Sequence, residues 1–424
     1  MRCLRFELSR GNLELNIENE LIPFEDLVSI AERINPKRSF IFASKVIGRY
    51  LPTSSAIMKK TAVTLVQSVP LKLLSGNVSV VSLSETALGL GALVHQQLKD
   101  SDVKALNVFT SRHLISAPIR TIFQEPHSHL PQHYVYKAFD TKINEAFDNT
   151  DTLVLVDDEI TTGNTLNNLF KSLKLSNVKR VILLSLTDWS NDVSFDWDVE
   201  LHKFSLIRGT YSWTETSSEP LPQLPYNPED YKQSSIISPG PYSIRLPSYT
   251  GLDIEFHERS RSRPRDPIIC IYYNELLPQA MQVMDKEYGF HDNIYYVALS
   301  SSPLIVGGDI LSKVEIKGFY SKVPLYLYNI KELLHTLKKY RIFIINENRM
   351  YEKESLSQLH DVLEEYLPEV NLKYSFDTIE VQNSHPKLNR VLTMTSILDV
   401  IEYKQKRSQV PVTGESASLI GDFF

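Results

Sequence analysis

Cysteine is nearly absent from this chain: Cys3 and Cys270 are the only two among 424 residues. Two such distant thiols build neither a disulfide framework nor a metal cluster, and they fit a reducing cytosol. Cys3 cannot become an N-terminal nucleophile when Met1 is removed, because Arg2 precedes it; that weighs against a glutamine-amidotransferase fusion. No apolar run approaches the ~18 residues of a membrane span, and the N-terminus lacks a basic stretch followed by an apolar core. These absences predict a soluble, cytoplasmic protein with no membrane association and no export by a signal peptide. A basic excess is missing too. The net charge of −6 and pI near 6.0 argue against a nucleic-acid-coating role. No internal repeat is visible. What is there suffices for packed cores, with 42% hydrophobic residues over a length that allows two to three domains.

The most informative segment is Leu153 to Thr165, LVLVDDEITTGNT. Leu153–Val156 is short, β-branched and apolar on both faces, which predicts a buried central strand of a parallel sheet. Ligands of open α/β sheets bind beyond the carboxyl ends of such strands, where Asp157 and Asp158 fall. Adjacent carboxylates there can accept hydrogen bonds from vicinal ribose hydroxyls. Directly or through water they can also hold the Mg²⁺ that travels with a pyrophosphate. Thr161, Thr162, Gly163, Asn164 and Thr165 add hydroxyls, backbone N–H groups and one permissive glycine. Leu166–Leu173 continues with helical spacing, so a phosphate would sit at a helix N-terminus. The bland alternative is a strand, a turn and a Thr-capped helix with a solvated Asp pair. As a string, the segment resembles the signature of type I phosphoribosyltransferases, which bind phosphoribosyl pyrophosphate (PRPP). Glu159 stands where that pattern usually has an aliphatic residue. Thr161 replaces an Asp of purine-salvage members, which points away from that subclass.

Strand and helix patterns alternate from Phe40 to about Leu206: Phe40–Ala43, a helix around Thr61–Leu74, Val78–Leu83, a helix Thr86–Lys99, Leu106–Thr110, Leu153–Val156 with its helix, and Arg180–Leu186. This alternation predicts a doubly wound parallel sheet. Arg112–Thr150 has no clear period, as active-site lids often do not. Four regions follow: residues 1–212 as a PRPP-binding domain, 213–266 as a Pro/Ser-rich connector, 267–405 as a smaller α/β domain, and 406–424 as a tail. In the third region the pattern predicts strands Ile268–Tyr273, Ile294–Leu299, Leu325–Tyr328, Arg341–Asn346 and one near Thr378–Val381, and an apolar run at Pro303–Val306. It places helices at Glu275–Tyr288, Lys331–Tyr340 and Glu354–Tyr366.

The type I resemblance also implies a pyrophosphate loop after an early strand, which Ser44-Lys45 fits; an ordinary solvated lysine is the alternative. Ser84-Glu85-Thr86 follows the next strand and caps a helix. The GLG at Gly89–Gly91 is a weak echo of a dinucleotide fingerprint and more simply permits close helix–sheet packing. A flexible catalytic hood is implied between Arg112 and the Asp pair. Arg112 can stabilise a leaving pyrophosphate, and Glu125, His127 or His129 can manage a proton on the incoming nucleophile. His127-x-His129 with Glu125 could instead bind a metal, and a surface loop without a role is the bland reading.

The segments FIFASKVIGRYLP, SLSETALGLGALV, TSRHLISAPIRTIFQEPHSHLPQH and VLVDDEITTGNT, in that order, look like the phosphoribosyltransferases of tellurium-resistance and stress-response gene clusters. Those usually carry a second domain named for a Thr-Arg-Ser-Pro motif, here represented by Ser300-Ser301-Ser302-Pro303. Ser301 in place of the Arg puts an anion-binding role there in doubt. The resemblance implies an Mg²⁺-dependent transfer of ribose-5-phosphate from PRPP to a base-like acceptor with release of pyrophosphate. Asp157 and Asp158 would hold ribose and, indirectly, the metal. Ser44, Lys45, Glu85, Thr86 and Thr161–Thr165 would bind PRPP. A homodimer and proteins of the same gene cluster are the expected partners. The alternatives are a PRPP or nucleotide sensor without chemistry, and phosphorolysis or hydrolysis of a nucleotide at the same pocket.

Overall fold

The computed structural model describes residues 1–35, 38–115, 118–125, 132–138, 140–191, 194–217, 223–224, 236–237, 263–273, 275–318, 323–337 and 340–345. The strand expected near 378–381, the helix at 354–366 and the tail at 406–424 lie outside them.

In chain order come β1 (Arg2–Leu8), β2 (Gly11–Glu20), α1 (Phe24–Leu27), β3 (Val28–Glu32), β4 (Phe40–Ser44), β5 (Thr53–Ser54), α2 (Ser55–Gln67), β6 (Val78–Ser82), α3 (Leu88–Asp100), β7 (Ala105–Phe109), β8 (Leu114–Ile115), β9 (Ile119–Gln124), β10 (Gln132–Tyr136), α4 (Thr141–Asp148), β11 (Thr152–Ile160), α5 (Asn164–Leu173), β12 (Arg180–Asp188) and β13 (Glu200–Glu215). The main sheet has seven strands in the order β1-β2-β13-β12-β11-β6-β7. The five from β13 to β7 are parallel, and β2 and β1 continue the sheet antiparallel.

From β6 the chain moves outward to β7, whereas from β11 it moves the other way to β12 and β13. With right-handed crossovers these opposite directions put α3 and α5 on opposite faces of the sheet. The doubly wound parallel sheet is therefore present, and its switch point lies between β6 and β11. That is where α/β sheets open a ligand crevice.

Local sequence explains the main boundaries. Leu153–Val156 is fully buried, as its unbroken apolar run requires. Helix α2 starts six residues before the expected Thr61, because the Ser54 side chain accepts the Ile57 N–H, and it stops at Gln67, short of Pro70. Gly91 on α3 allows the close approach anticipated for GLG, since a Cβ there would fall 1.6 Å from Ser82 Oγ. Strand β13 runs on to Glu215, so Trp213–Glu215, expected to open a connector, pair with Gly11–Leu13.

Beyond β14 (Ile236–Ile237) come β15 (Ile268–Tyr273), a helix Leu277–Tyr288, β16 (Ile294–Leu299), β17 (Lys313–Ile316), β18 (Leu325–Tyr328), a helix Ile330–Thr336 and β19 (Arg341–Ile345). Pro303–Val306 forms no strand; Leu304 makes only an isolated bridge to Arg33. A four-stranded sheet has the order β19-β15-β16-β5, so its last strand comes from the amino-terminal part of the chain. The Ser55 hydroxyl donates to the His291 carbonyl at 2.9 Å and accepts the His291 N–H at 2.8 Å. The Tyr272 hydroxyl donates to the Gly48 carbonyl at 3.1 Å. Side chains of both sheets merge in one buried core.

Candidate active site at the switch point

Asp157 and Asp158 do not lie beyond their strand, as the sequence reading placed them; they lie within it. Strand β12 continues alongside β11, pairing Ser185 with Asp157 and Thr187 with Glu159, while β6 stops at Ser82 opposite Val156. The two acids therefore sit where β11 has lost one neighbour, on the β6 side. The loop after β6 reaches across: the Thr86 hydroxyl donates to Asp158 Oδ1 at 2.6 Å. Asp157 Oδ1 accepts the Asp158 N–H at 2.9 Å. No basic side chain forms an ion pair with either acid among the described residues. Burial first, and the neighbouring Asp158 charge second, push the Asp157 carboxyl well above its ordinary range.

After Ile160 the chain bends through Thr161 and Thr162 to Gly163, which has φ +69° and precedes α5. A Cβ on Gly163 would fall 2.4 Å from the Phe195 ring, so glycine is required for space as well as conformation. Gly163, the residue before α5, offers the helix no side-chain cap. The first intrahelical bond is donated by Asn167, to Gly163; the Asn164 N–H donates to Thr162 Oγ1 at 3.4 Å, which leaves the amides of Thr165 and Leu166 as the open first-turn donors among the described residues. Thr162 and Asn164 are exposed beside them. The segment offers an anion backbone N–H groups and hydroxyls at the positive end of the helix.

Other charged side chains around the strand ends are paired. Arg49 pairs with Glu85, with side chains only 5% and 6% exposed. Burial opposes ionisation of Glu85, but the charges of Arg49 and Arg112 hold it down at about 2. Arg38 pairs with Glu159 at 2.8 Å, so the third acid of the motif is neutralised locally. Arg112 pairs with Glu125, and His133 Nε2 lies 3.2 Å from the same carboxylate. The His133 ring stacks on Phe123. Burial, then the charge of Arg112, lowers its pKa to about 4 despite Glu125, so its imidazole is neutral at pH 7.

The hood expected between Arg112 and Thr150 is partly regular. Strands β9 and β10 form an antiparallel hairpin, seated on α5 by the Asn168 side-chain amide, which donates to the Gln124 carbonyl at 2.9 Å. Arg112 and Glu125 are brought together there. His127 and His129 lie outside the described residues.

Ser44 and Lys45 are not brought to the crevice by their described contacts. Strand β4 pairs with β3 in a separate two-stranded sheet rather than joining the parallel one. The Ser44 hydroxyl accepts the Val46 N–H at 3.1 Å, and Lys45 Nζ pairs with Asp309 at 2.7 Å. The cation that does reach the loop after β6 is Arg49, four residues further on. Arg38, Arg49 and His133 were missed because the sequence offers no spacing that links them to their distant carboxylates.

Residues 27–209, less than half of the chain, match the model of a family described as phosphoribosyl transferase. This stretch is a phosphoribosyl transferase domain. The match fits the strand, acid pair, glycine turn and helix just described, and the domain is that of a phosphoribosyltransferase enzyme. No curated protein matches the sequence. Among solved structures, the chain is similar to adenine phosphoribosyltransferase from Rhodothermus marinus, at 13% identity over 42% of this chain and 94% of that one, with a TM-score of 0.27. It is also similar to the Trypanosoma brucei adenine phosphoribosyl transferase in complex with AMP, pyrophosphate and ribose-5-phosphate, at 14% identity over 43% and 77%, TM-score 0.30. A third is the Giardia lamblia enzyme complexed with 9-deazaadenine, at 14% over 45% and 98%, TM-score 0.29.

Proposed function

We propose that the crevice between β6 and β11 binds PRPP with Mg²⁺ and transfers ribose-5-phosphate to a base-like acceptor, releasing pyrophosphate. The observation that carries this reading is the Asp157–Asp158 pair, without a cationic partner among the described residues, followed through the Gly163 turn by the N-terminus of α5 with its open Thr165 and Leu166 amides. Asp157 and Asp158 accept the ribose hydroxyls, and Thr161–Thr165 take the 5′-phosphate. Glu85 and Thr86 form the facing wall of the pocket.

The donor set fits Mg²⁺ held mainly through PRPP. The Asp pair offers hard oxygen ligands, but no group of three or more His, Cys, Asp or Glu side chains among the described residues could hold a metal ion alone. When bound, the ion supplies charge neutralisation at the pyrophosphate. In the transfer, the bond from C1′ to the pyrophosphate oxygen breaks and a bond from C1′ to the acceptor forms. The acceptor gives up its proton, and the pyrophosphate leaves with the electron pair. Arg112 lies on the hood side to stabilise the growing charge on the leaving group. Glu125, held well below the usual carboxylate range against its burial by Arg112 and His133, orients Arg112 better than it accepts a proton. That leaves His127 and His129 as the candidates for handling the acceptor's proton. On the resemblance of its upstream segments, we place the reaction in a stress-response or tellurium-resistance pathway that makes a nucleotide-like metabolite.

The test is pyrophosphate release from PRPP with Mg²⁺ against a panel of bases and a cell extract. Turnover with some acceptor is expected. Tight PRPP binding without turnover under any acceptor would replace the enzyme reading with a sensor.

A further inference from the structure

One carboxylate from the carboxyl-terminal sheet reaches the hood. Glu275, between β15 and the helix Leu277–Tyr288, is 3% exposed. Its Oε1 accepts the backbone N–H of Arg112 at 2.6 Å, and its Oε2 accepts the Ser111 hydroxyl at 2.7 Å. Ser111 is bridged to Tyr134 of β10 by two backbone bonds, Ser111 N–H to Tyr134 O at 2.9 Å and Tyr134 N–H to Ser111 O at 2.7 Å. A single buried carboxylate thus fixes the backbone at the root of the hood hairpin. It does so at the residue whose guanidinium holds Glu125. Burying a carboxylate is costly unless its oxygens are bonded, and each oxygen of Glu275 accepts a hydrogen bond from this turn of chain. The Ser55–His291 bonds, by contrast, tie the same two parts of the chain together without reaching the hood.

We propose that Glu275 is a positioning residue of the transferase site: the carboxyl-terminal α/β unit supplies the carboxylate that aims Arg112 at the leaving pyrophosphate. This rests on the function proposed above. If Arg112 acts on the departing group, losing its alignment lowers kcat rather than weakening PRPP binding, because the contact matters most in the transition state. A misaligned group of this kind costs about tenfold or more.

The experiment compares full-length wild type, Glu275→Ala, Glu275→Gln and Ser55→Ala. Pyrophosphate release is followed at varied PRPP, and backbone hydrogen exchange is followed over residues 110–115. Glu275→Ala should lower kcat about tenfold or more with KM for PRPP changed less than about twofold. Glu275→Gln should recover most of that loss, because its amide can accept from Arg112 N–H and donate to Ser111 Oγ. Ser55→Ala should keep the wild-type kcat. Equal kcat in Glu275→Ala and wild type would overturn the proposal, as would an equal loss in Ser55→Ala, which would reduce the effect to docking. If wild type itself turns over no PRPP, the function fails separately and the exchange data decide: faster exchange at 110–115 in Glu275→Ala but not in Ser55→Ala supports the anchoring, and unchanged exchange refutes it.

Discussion

Five acids of the crevice and its hood fall into two sets. Glu85, Glu125 and Glu159 each have an arginine partner, supplied by Arg49, Arg112 and Arg38. Asp157 and Asp158 have none among the described residues, and Asp157 is pushed towards its neutral form. All five are partly buried, so exposure does not separate them. What separates them is whether the protein neutralises the charge itself. The first set is internally balanced, whereas the second leaves an electrostatic deficit that a ligand carrying a cation would relieve.

The largest expected effect breaks the balanced set. Arg49→Ala strands Glu85 as a buried, unpaired charge, and removing one partner of a buried pair costs about 3–5 kcal/mol. Urea unfolding of Arg49→Ala, Glu85→Ala and the double variant should give a double loss well below the sum of the single ones. Additive losses would deny the pairing.

A smaller effect sharpens the other side. Gly163→Ala forces a left-handed backbone costing about 1–2 kcal/mol, besides the Phe195 contact. It should weaken binding of PRPP and of ribose 5-phosphate in the same ratio, read by titration, because both present the same phosphate to α5. Selective loss of PRPP alone would place the phosphate elsewhere.

A third test is in pH dependence. His133 titrates at about 4 folded against 6.5 when unperturbed, so between those values the unfolded chain binds the extra proton and stability falls as pH falls. Glu85, held at about 2 against 4.5, adds stability that is present above pH 4.5 and lost as pH drops towards 2. Asp157 has the opposite sign: its raised pKa favours the folded state at low pH. Unfolding midpoints should therefore drop from pH 6.5 to 4, and His133→Gln should flatten that part of the curve. An unchanged slope in His133→Gln would remove His133 from the buried network.

How much was legible follows the same division. The Asp pair, the glycine turn and α5 are contiguous, and a strand, a turn and a helix start each leave a local pattern, so the sequence displays them. The arginine–glutamate pairs join residues 13 to 121 positions apart, and no local period reports such contacts. Lys45 shows the cost of reading spacing alone: it follows a genuine strand, but β4 pairs with β3, and the lysine meets Asp309. The hood hairpin escaped because β9 has a mixed burial pattern rather than clean alternation.

We propose that Asp157 and Asp158, with the N-terminus of α5, hold PRPP. The test is calorimetric titration of wild type and of Asp157→Asn/Asp158→Asn with PRPP and Mg²⁺. Wild type should bind, while the double variant stays folded and loses at least about 100-fold in affinity, about 2.7 kcal/mol. Wild-type affinity in the double variant would contradict the claim.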